Sequence, residues 1–476
     1  MSFATPTFLW YFMPTVLALY WVLPRRFRNG LLAIASLLFY TWGGHAFVLL
    51  LAACITVNYV VGRLLDTESG LREPTARRAA LVAAIVVDLG ALAVWKYADF
   101  ASRQADTIAR AFGGHGVHTL HLVLPIGISF FTFHHLSYVV DVYRGTRAAL
   151  RSPLKFVTYI VMFPQLIAGP IVRFHEIADQ LDETPRDRIG DFAAGFPRFA
   201  LGLSKKVIVA DTIAPVANSV FALRPEQLTT ASAWVGALAY TIQLYFDFSG
   251  YSDMAIGLGR MFGFQLPENF ARPYSASSIT DFWRRWHMSL SRWFRDYLYI
   301  PLGGNRGTKW QTYRNLYIVF ALTGFWHGAN WTFLVWGLYH GTLLVIERVT
   351  GWAQRDSAWR PVQRVVTQLL VVFGWVAFRS DNLSFAGHMV RAMVVPSGLH
   401  LDAATSTSLT HRVALVFVLS LLVFAIPANF VTGRFLEFGA TRKAAVARLW
   451  YVVGAAPVAA ALVAVGTFSP FLYYQF

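Results

Sequence analysis

Apolar runs of roughly 17–25 residues recur from one end of the chain to the other, each long enough for a helix to cross the hydrocarbon core of a bilayer. In that solvent every backbone N–H and C=O must be satisfied within the protein, so each run is read as a helix. The sequence therefore predicts an all-α, polytopic integral membrane protein. Its charge content agrees: 14% of residues are charged, against about 25% in an ordinary soluble domain.

The breaks between runs set the expected layout. Phe8–Leu23 has the length of a signal-peptide core, but no Lys or Arg precedes it, and Arg25, Arg26 and Arg28 follow. That polarity predicts a retained helix with its N-terminus outside and its arginines in the cytoplasm. Leu31–Leu65 is too long for one crossing, and Trp42-Gly43-Gly44-His45 divides it into two joined by a tight turn. Ala79–Tyr97 follows with Asp88 inside it, then Leu122–Val142 and Phe156–Val172, the latter kinked or re-entrant at Pro164 and Gly169-Pro170. Phe196–Ala217 carries Lys205-Lys206, expected near its end and snorkelling to the interface. Ala233–Phe264, Val362–Phe378, Val413–Pro427 and Leu449–Phe468 are further spans, while residues 98–122 and about 380–411 read as polar loops. With the central segment, about eleven crossings plus re-entrant or interfacial pieces are expected, in one domain over 1–476.

The formal charge of +16 fits the excess of Lys and Arg in short cytoplasmic loops, so nucleic acid is not an expected partner, whereas membrane lipids are. Cys54 stands alone, which excludes an internal disulfide. His115, His118 and His121 lie in a Gly-rich stretch without Cys or carboxylate, and no metal site is expected there.

Chemistry concentrates at 272–345. On a helix through 282–298, Trp283, Trp286, Leu290, Trp293, Phe294 and Tyr297 would share one face and Arg284, Arg285, Arg292 and Arg295 the other, with His287 on the seam. Eight basic residues oppose two acidic ones between Arg272 and Arg314. Anionic-lipid contact or a phosphorylated ligand would each explain that charge. Downstream, GFWHGANWTF places Trp326 and His327 between Gly324 and Gly328 inside an apolar run, with Asn330 three residues on and expected within reach of the imidazole. An ionisable group at such depth usually marks a pathway or a site. Asp247 and Asp253, in YTIQLYFDFSGYSDMAIGLG, admit two readings: hydrogen bonding between close-packed helices, or the lining of a reaction cavity.

Several stretches, in order, resemble the membrane-bound O-acyltransferase (MBOAT) family of the bacterial alginate O-acetylation type. They are LPIGISFFTFHHLSYVVDVYRG (124–145), FPQLIAGPIVRF (163–174), LGLSKKVIVADT (201–212), ALAYTIQLYFDFSGYSDMAIGLG (237–259), residues 268–307, FWHGANWTF (325–333) and SPFLYYQF (469–476). The resemblance implies a ring of tilted helices around a funnel in the bacterial inner membrane, with the family histidines at His327 and His287. It also implies an acetyl group taken from a cytoplasmic donor, acetyl-CoA, with no bound cofactor, and delivered to an extracytoplasmic polysaccharide. The implied partners are a periplasmic SGNH-type acetyltransferase and other polysaccharide-machinery subunits. On this reading His327 is the base, or a relay if an acyl-enzyme intervenes. His287 and Asn330 position the donor and steady the oxyanion, and Trp326, Arg284, Arg285, Asp247 and Asp253 bind substrate. Two other readings stay open: D-alanyl transfer toward teichoic acid, and a secondary transporter with buried His and Asp.

Overall fold

The computed structural model describes residues 2–182, 187–354, 357–426, 431–466 and 470–472, and every regular element among them is helical. They group into two compact units, Met1–Phe196 with Ala255–Pro267 and Pro197–Met254 with Glu268–Phe476. Among the described residues, four helices are long and apolar enough to cross a membrane: Phe47–Leu65, Pro74–Ala111, Arg360–Arg379 and Arg442–Val465. Thr7–Val22 and His411–Ala425 are shorter apolar helices.

In the first unit, Arg25–Gly44 and Phe47–Leu65 flank His45, whose φ of 43° makes the tight turn expected at Trp42–His45. The helix Pro74–Ala111 runs through the stretch read as a loop from residue 98. Ion pairs at i,i+4, Asp99 with Arg103 (3.3 Å) and Asp106 with Arg110 (2.9 Å), carry it on in polar surroundings. Its 38 residues span roughly 57 Å at 1.5 Å each, well beyond a hydrocarbon core of about 30 Å. The next helix starts only at Ile128, because Pro125 and a left-handed Gly127 (φ 75°) precede it. Asp88 is buried between helices: it accepts from Asn58 Nδ2 at 2.8 Å and stands 3.6 Å from His135 Nδ1. In 156–172 the breakers act as expected, leaving the helix Pro153–Val161 and a single turn at Phe163–Leu166.

Buried charge organises the second unit. Lys205 and Lys206 do not snorkel. They occupy a π-helical turn, Lys205–Ala210, between Arg188–Ser204 and Asp211–Phe221. Lys206, 2% exposed, pairs with Asp247 at 2.7 Å and Asp211 at 2.8 Å, and Lys205 pairs with Asp253 at 2.6 Å. The reason is complementarity: the helix Thr230–Met261 supplies the acids, so the ammonium groups need no water. Arg198 lies about two turns earlier and is 1% exposed. It donates to Asp253 (3.0 and 3.2 Å), Glu268 (2.7 Å twice) and Glu437 (2.7 Å). Gly433 leaves room for the guanidinium, and Gly202 and Gly250 let the two helices touch backbone to backbone.

The stretch read as a loop at 380–411 holds two helices, Leu383–Val394 and Ala403–Ser408, capped by the side chains of Asn382 and Asp402. Of the spans expected near the C-terminus, Val413–Pro427 is the helix His411–Ala425 and Leu449–Phe468 falls in Arg442–Val465. Pro427, Phe468 and most of the 469–476 motif lie outside the described residues.

Removing Arg198 would take a buried cation from Glu268 and Glu437, while Asp253 keeps Lys205. Arg198→Met is expected to cost about 3–5 kcal/mol, read as a lower thermal midpoint of the detergent-solubilised protein. An unchanged midpoint would show the network to be dispensable.

Candidate active site

The continuous helix expected through 282–298 is broken at its histidine. Ser278 Oγ accepts from Asp281 N at 3.0 Å, and the Glu347 carboxylate accepts from the amides of Ile279 (2.6 Å) and Thr280 (3.2 Å). Those caps start the short helix Ile279–Arg285. Trp286 then turns extended (ψ 130°), His287 is left-handed (φ 45°, ψ 52°), and a second helix runs from Met288 to Phe294. A non-glycine residue in that region costs about 1–3 kcal/mol and persists only where its surroundings enforce it. Here the segment 269–271 enforces it: Met288 N donates to Asn269 O, Ala271 N donates to Arg285 O, each at 3.0 Å, and the Arg285 guanidinium holds Asp281 and Ala271 O. Because of the break, Trp286 does not share the helical face with Trp293 and Tyr297 that the sequence pattern predicts, and His287 lies in a turn rather than on a helical seam.

His327 is the last residue of the helix Lys309–His327, which a Thr308/Gln311 capping box begins and an extended Gly328 ends. The next helix, Trp331–Thr350, packs closely against it. A methyl at Gly324 would overlap the Phe333 carbonyl, and one at Gly337 the Phe320 carbonyl. This glycine contact fixes the height of His327 beside Trp336.

The two imidazoles come together, with ring centroids 6.5 Å apart. Trp326 reaches both, at 4.9 Å from His327 and 6.1 Å from His287. Trp336 and Phe378 flank His327, each at 5.2 Å, and Phe248 flanks His287 at 4.7 Å. The rings are 5% and 1% exposed, which makes the centre an aromatic chamber. On its far side lies Trp283, 5.6 Å from Trp336, forming with Phe320 and Thr323 part of the wall of a cavity of about 530 Å³. A more polar cavity of about 660 Å³, with Ser277, Asn305 and Gln354 in its lining, shares Thr280, Arg284 and Arg348 with the first.

The other expected site residues divide. Arg284, which borders both cavities, makes no hydrogen bond or ion pair among the described residues, and the same holds for Arg348, which the sequence reading passed over. Arg285 is spent on Asp281 and Ala271 O, as a staple of the turn rather than a ligand group. Asn330 does not share a helix with His327. It caps Trp331–Thr350, accepting from Thr332 N at 3.2 Å and donating to Asp381 O at 2.9 Å, because the chain turns sharply at Gly328. Asp247 is held by Lys206 and by Leu472 N (2.8 Å), which is the packing reading. Asp253 takes part in both readings: it is ion-paired, and it lines a separate cavity of about 70 Å³ with Lys205, Glu268, Arg272 and Tyr274.

Three further residues escaped the sequence reading. Asn269 and Glu347 hold the turn at His287. His340, fully buried, packs on Trp283 at 5.0 Å and Trp336 at 5.3 Å in space that Gly374 leaves open. Only the Gly374 and His340 residue types hinted at this, and no spacing connected them.

Among the described residues, four helices long and apolar enough to cross a membrane, together with a buried imidazole pair, are the features of an integral membrane protein with an internal site. Residues 127–387 match the family model of the membrane-bound O-acyltransferases. The chain is 47% identical over 426 residues, 90% of its length and 84% of the relative's, to the "probable alginate O-acetylase AlgI" of Azotobacter vinelandii. It is 36% identical to the peptidoglycan O-acetyltransferase of Helicobacter pylori, over 89% of the chain and 86% of that protein. It is 28% identical to the teichoic acid D-alanyltransferase of Bacillus subtilis, over 54% and 68%. The chain belongs to the MBOAT family and is a membrane O-acyltransferase.

Arg285→Ala should lower the thermal midpoint by the equivalent of roughly 1 kcal/mol, as a lost hydrogen bond from a charged donor to the turn. Arg284→Ala should leave the midpoint unchanged. Equal destabilisation of the two variants would contradict their assignment to different work.

Proposed function

We propose that this O-acyltransferase carries out the membrane step of polysaccharide O-acetylation, with alginate as the acceptor polymer. It takes an acetyl group from cytoplasmic acetyl-CoA and delivers it for use outside the inner membrane. The identity to an O-acetylase over nine tenths of the chain favours acetyl over D-alanyl cargo, whose relative matches about half of the chain. The observation that carries the site is the imidazole pair, 6.5 Å apart, with Trp336 between His327 and the Trp283 wall of the arginine-bordered cavity, which neither imidazole lines.

In the proposed reaction the acceptor hydroxyl attacks the thioester carbonyl while an imidazole takes its proton. The tetrahedral intermediate collapses, and the thiolate leaves and is protonated by the imidazolium. Imidazole suits both transfers because its ordinary pKa lies near the working pH. His327 is assigned as the base. Arg284 and Arg348 suit the phosphates of the donor, and the apolar wall around Phe320 suits its thioester arm. A periplasmic SGNH-type acetyltransferase and other polysaccharide-machinery subunits would receive the group. About eleven crossings, with a periplasmic N-terminus, complete this reading.

His327→Ala is expected to abolish polysaccharide acetylation in cells while the protein still inserts and purifies normally. Wild-type acetyl content in that strain would remove His327 from the chemistry. His287→Gln should fall by about 100-fold or more, measured as thiol release from acetyl-CoA by the purified protein, and a mild defect would make it structural.

A further inference from the structure

Asn269 is fully buried, and its side-chain oxygen gathers three partners: His287 Nδ1 at 3.1 Å, Ser289 N at 3.2 Å and Ser289 Oγ at 2.9 Å. The backbone amide of Ser289 can only donate, so the atom facing it is the amide oxygen and not its nitrogen. An oxygen there has no proton to give. The contact with His287 therefore requires the proton to sit on Nδ1 of the imidazole, and a neutral His287 then carries its lone pair on Nε2.

We propose that Asn269 is a positioning residue that holds neutral His287 as the Nδ1–H tautomer, so that His287 works as a proton acceptor through Nε2. This rests on the reading of His287 and His327 as the reaction centre, and it changes the role expected for His287. Steadying an oxyanion needs an N–H aimed at the oxygen. In this tautomer Nε2 has one only after His287 has gained a proton. That proton originates on the attacking hydroxyl, is taken up at the imidazole pair and is returned to the leaving thiolate, so both histidines end the cycle neutral. Once His287 is protonated, its bond to Asn269 becomes charge-assisted and stronger.

The charged and titratable groups around His287 are otherwise committed. His327 faces it at 6.5 Å between ring centroids. Glu268, next to Asn269, is bound to Arg198, and the Arg292 guanidinium donates to Glu268 O at 3.3 Å. Arg285, on the preceding helix, pairs with Asp281. On the helix that carries Phe248, Asp247 pairs with Lys206. The amide of Asn269 is thus a neutral acceptor placed where a carboxylate would stabilise the imidazolium.

The test compares Asn269→Asp and Asn269→Leu in the full-length purified protein. Asp keeps the acceptor and stabilises protonated His287. Because His287 must be neutral to accept a proton, the acidic limb of the kcat/KM profile should move to higher pH by about one unit or more, with activity retained above it. Leu keeps the volume and removes the acceptor, and kcat should fall on the order of 100-fold or more. Equal activity in both variants with an unmoved pH profile would overturn the proposal. A readout independent of turnover separates this from failure of the acyl-transfer reading: the ¹⁵N spectrum of histidine-labelled protein. The resonance lost in His287→Gln should have a protonated Nδ1 and a bare Nε2 in the wild type. A protonated Nε2 there would overturn the proposal even if both Asn269 variants were inactive or failed to fold.

Discussion

The second unit depends on one constraint: a charge taken out of water must meet its opposite within the protein. Arg198 lies about two turns before the adjacent Lys205 and Lys206 on one helical stretch, and Asp247 and Asp253 answer them from the helix Thr230–Met261. Glu268 and Glu437 reach Arg198 from segments far apart in sequence. Pairing of this kind adds little net stability over a well-packed apolar alternative, because desolvation offsets most of the attraction. Its contribution is to register. Glu268 directly precedes Asn269, so the guanidinium that fixes one also sets the position of the other. The ion network and the turn at His287 are neighbouring parts of one arrangement.

That coupling separates what could be read in the sequence from what could not. The helical class, the turn at Trp42–His45 and the broken segment at 156–172 follow from apolar length and from Gly and Pro, which act locally. The pairing of His287 with His327 came from a family resemblance, since forty residues separate them. Local rules failed where distant partners decide. Lys205-Lys206 looks like an interface pair until the acids of a second helix are counted. The aromatic stripe of 283–297 looks like one helix until Asn269 and Ala271 take hydrogen bonds at its centre. Asn330 looked poised beside His327 by spacing, but the extended Gly328 ends the helix that the spacing assumed. The Arg284-Arg285 doublet is one motif in sequence and two functions in space, because only Arg285 finds an acid one turn earlier at Asp281.

Backbone strain and close packing also converge on the centre. Among the described residues, three non-glycine residues have positive φ, and His287 is the one of them at the imidazole pair. The cost of its conformation, of order 1–3 kcal/mol, is offset by bonds from Asn269 and by the caps that Glu347 provides from the helix Trp331–Thr350. That same helix touches the His327 helix at Gly324 and Gly337. Both imidazoles are thereby referenced to one rigid element, which holds their separation better than two independent loops would.

The aromatic enclosure suits the proposed chemistry as well as the membrane. In that reaction a thioester held beside a base would be open to hydrolysis, and walls of Trp283, Trp326, Trp336 and Phe378 offer water few partners. Such walls also disfavour a standing charge, yet the proposed reaction needs a proton to be held there for one step. A neutral amide behind His287 resolves the conflict. It adds no charge to the chamber at rest, yet its oxygen strengthens its hold on Nδ1–H when a proton arrives at Nε2. A carboxylate in its place would keep the ring charged for much of the time and withdraw it from the reaction. On that proposal, Asn at 269 would let a dry, aromatic chamber take up a proton for a single step and release it again.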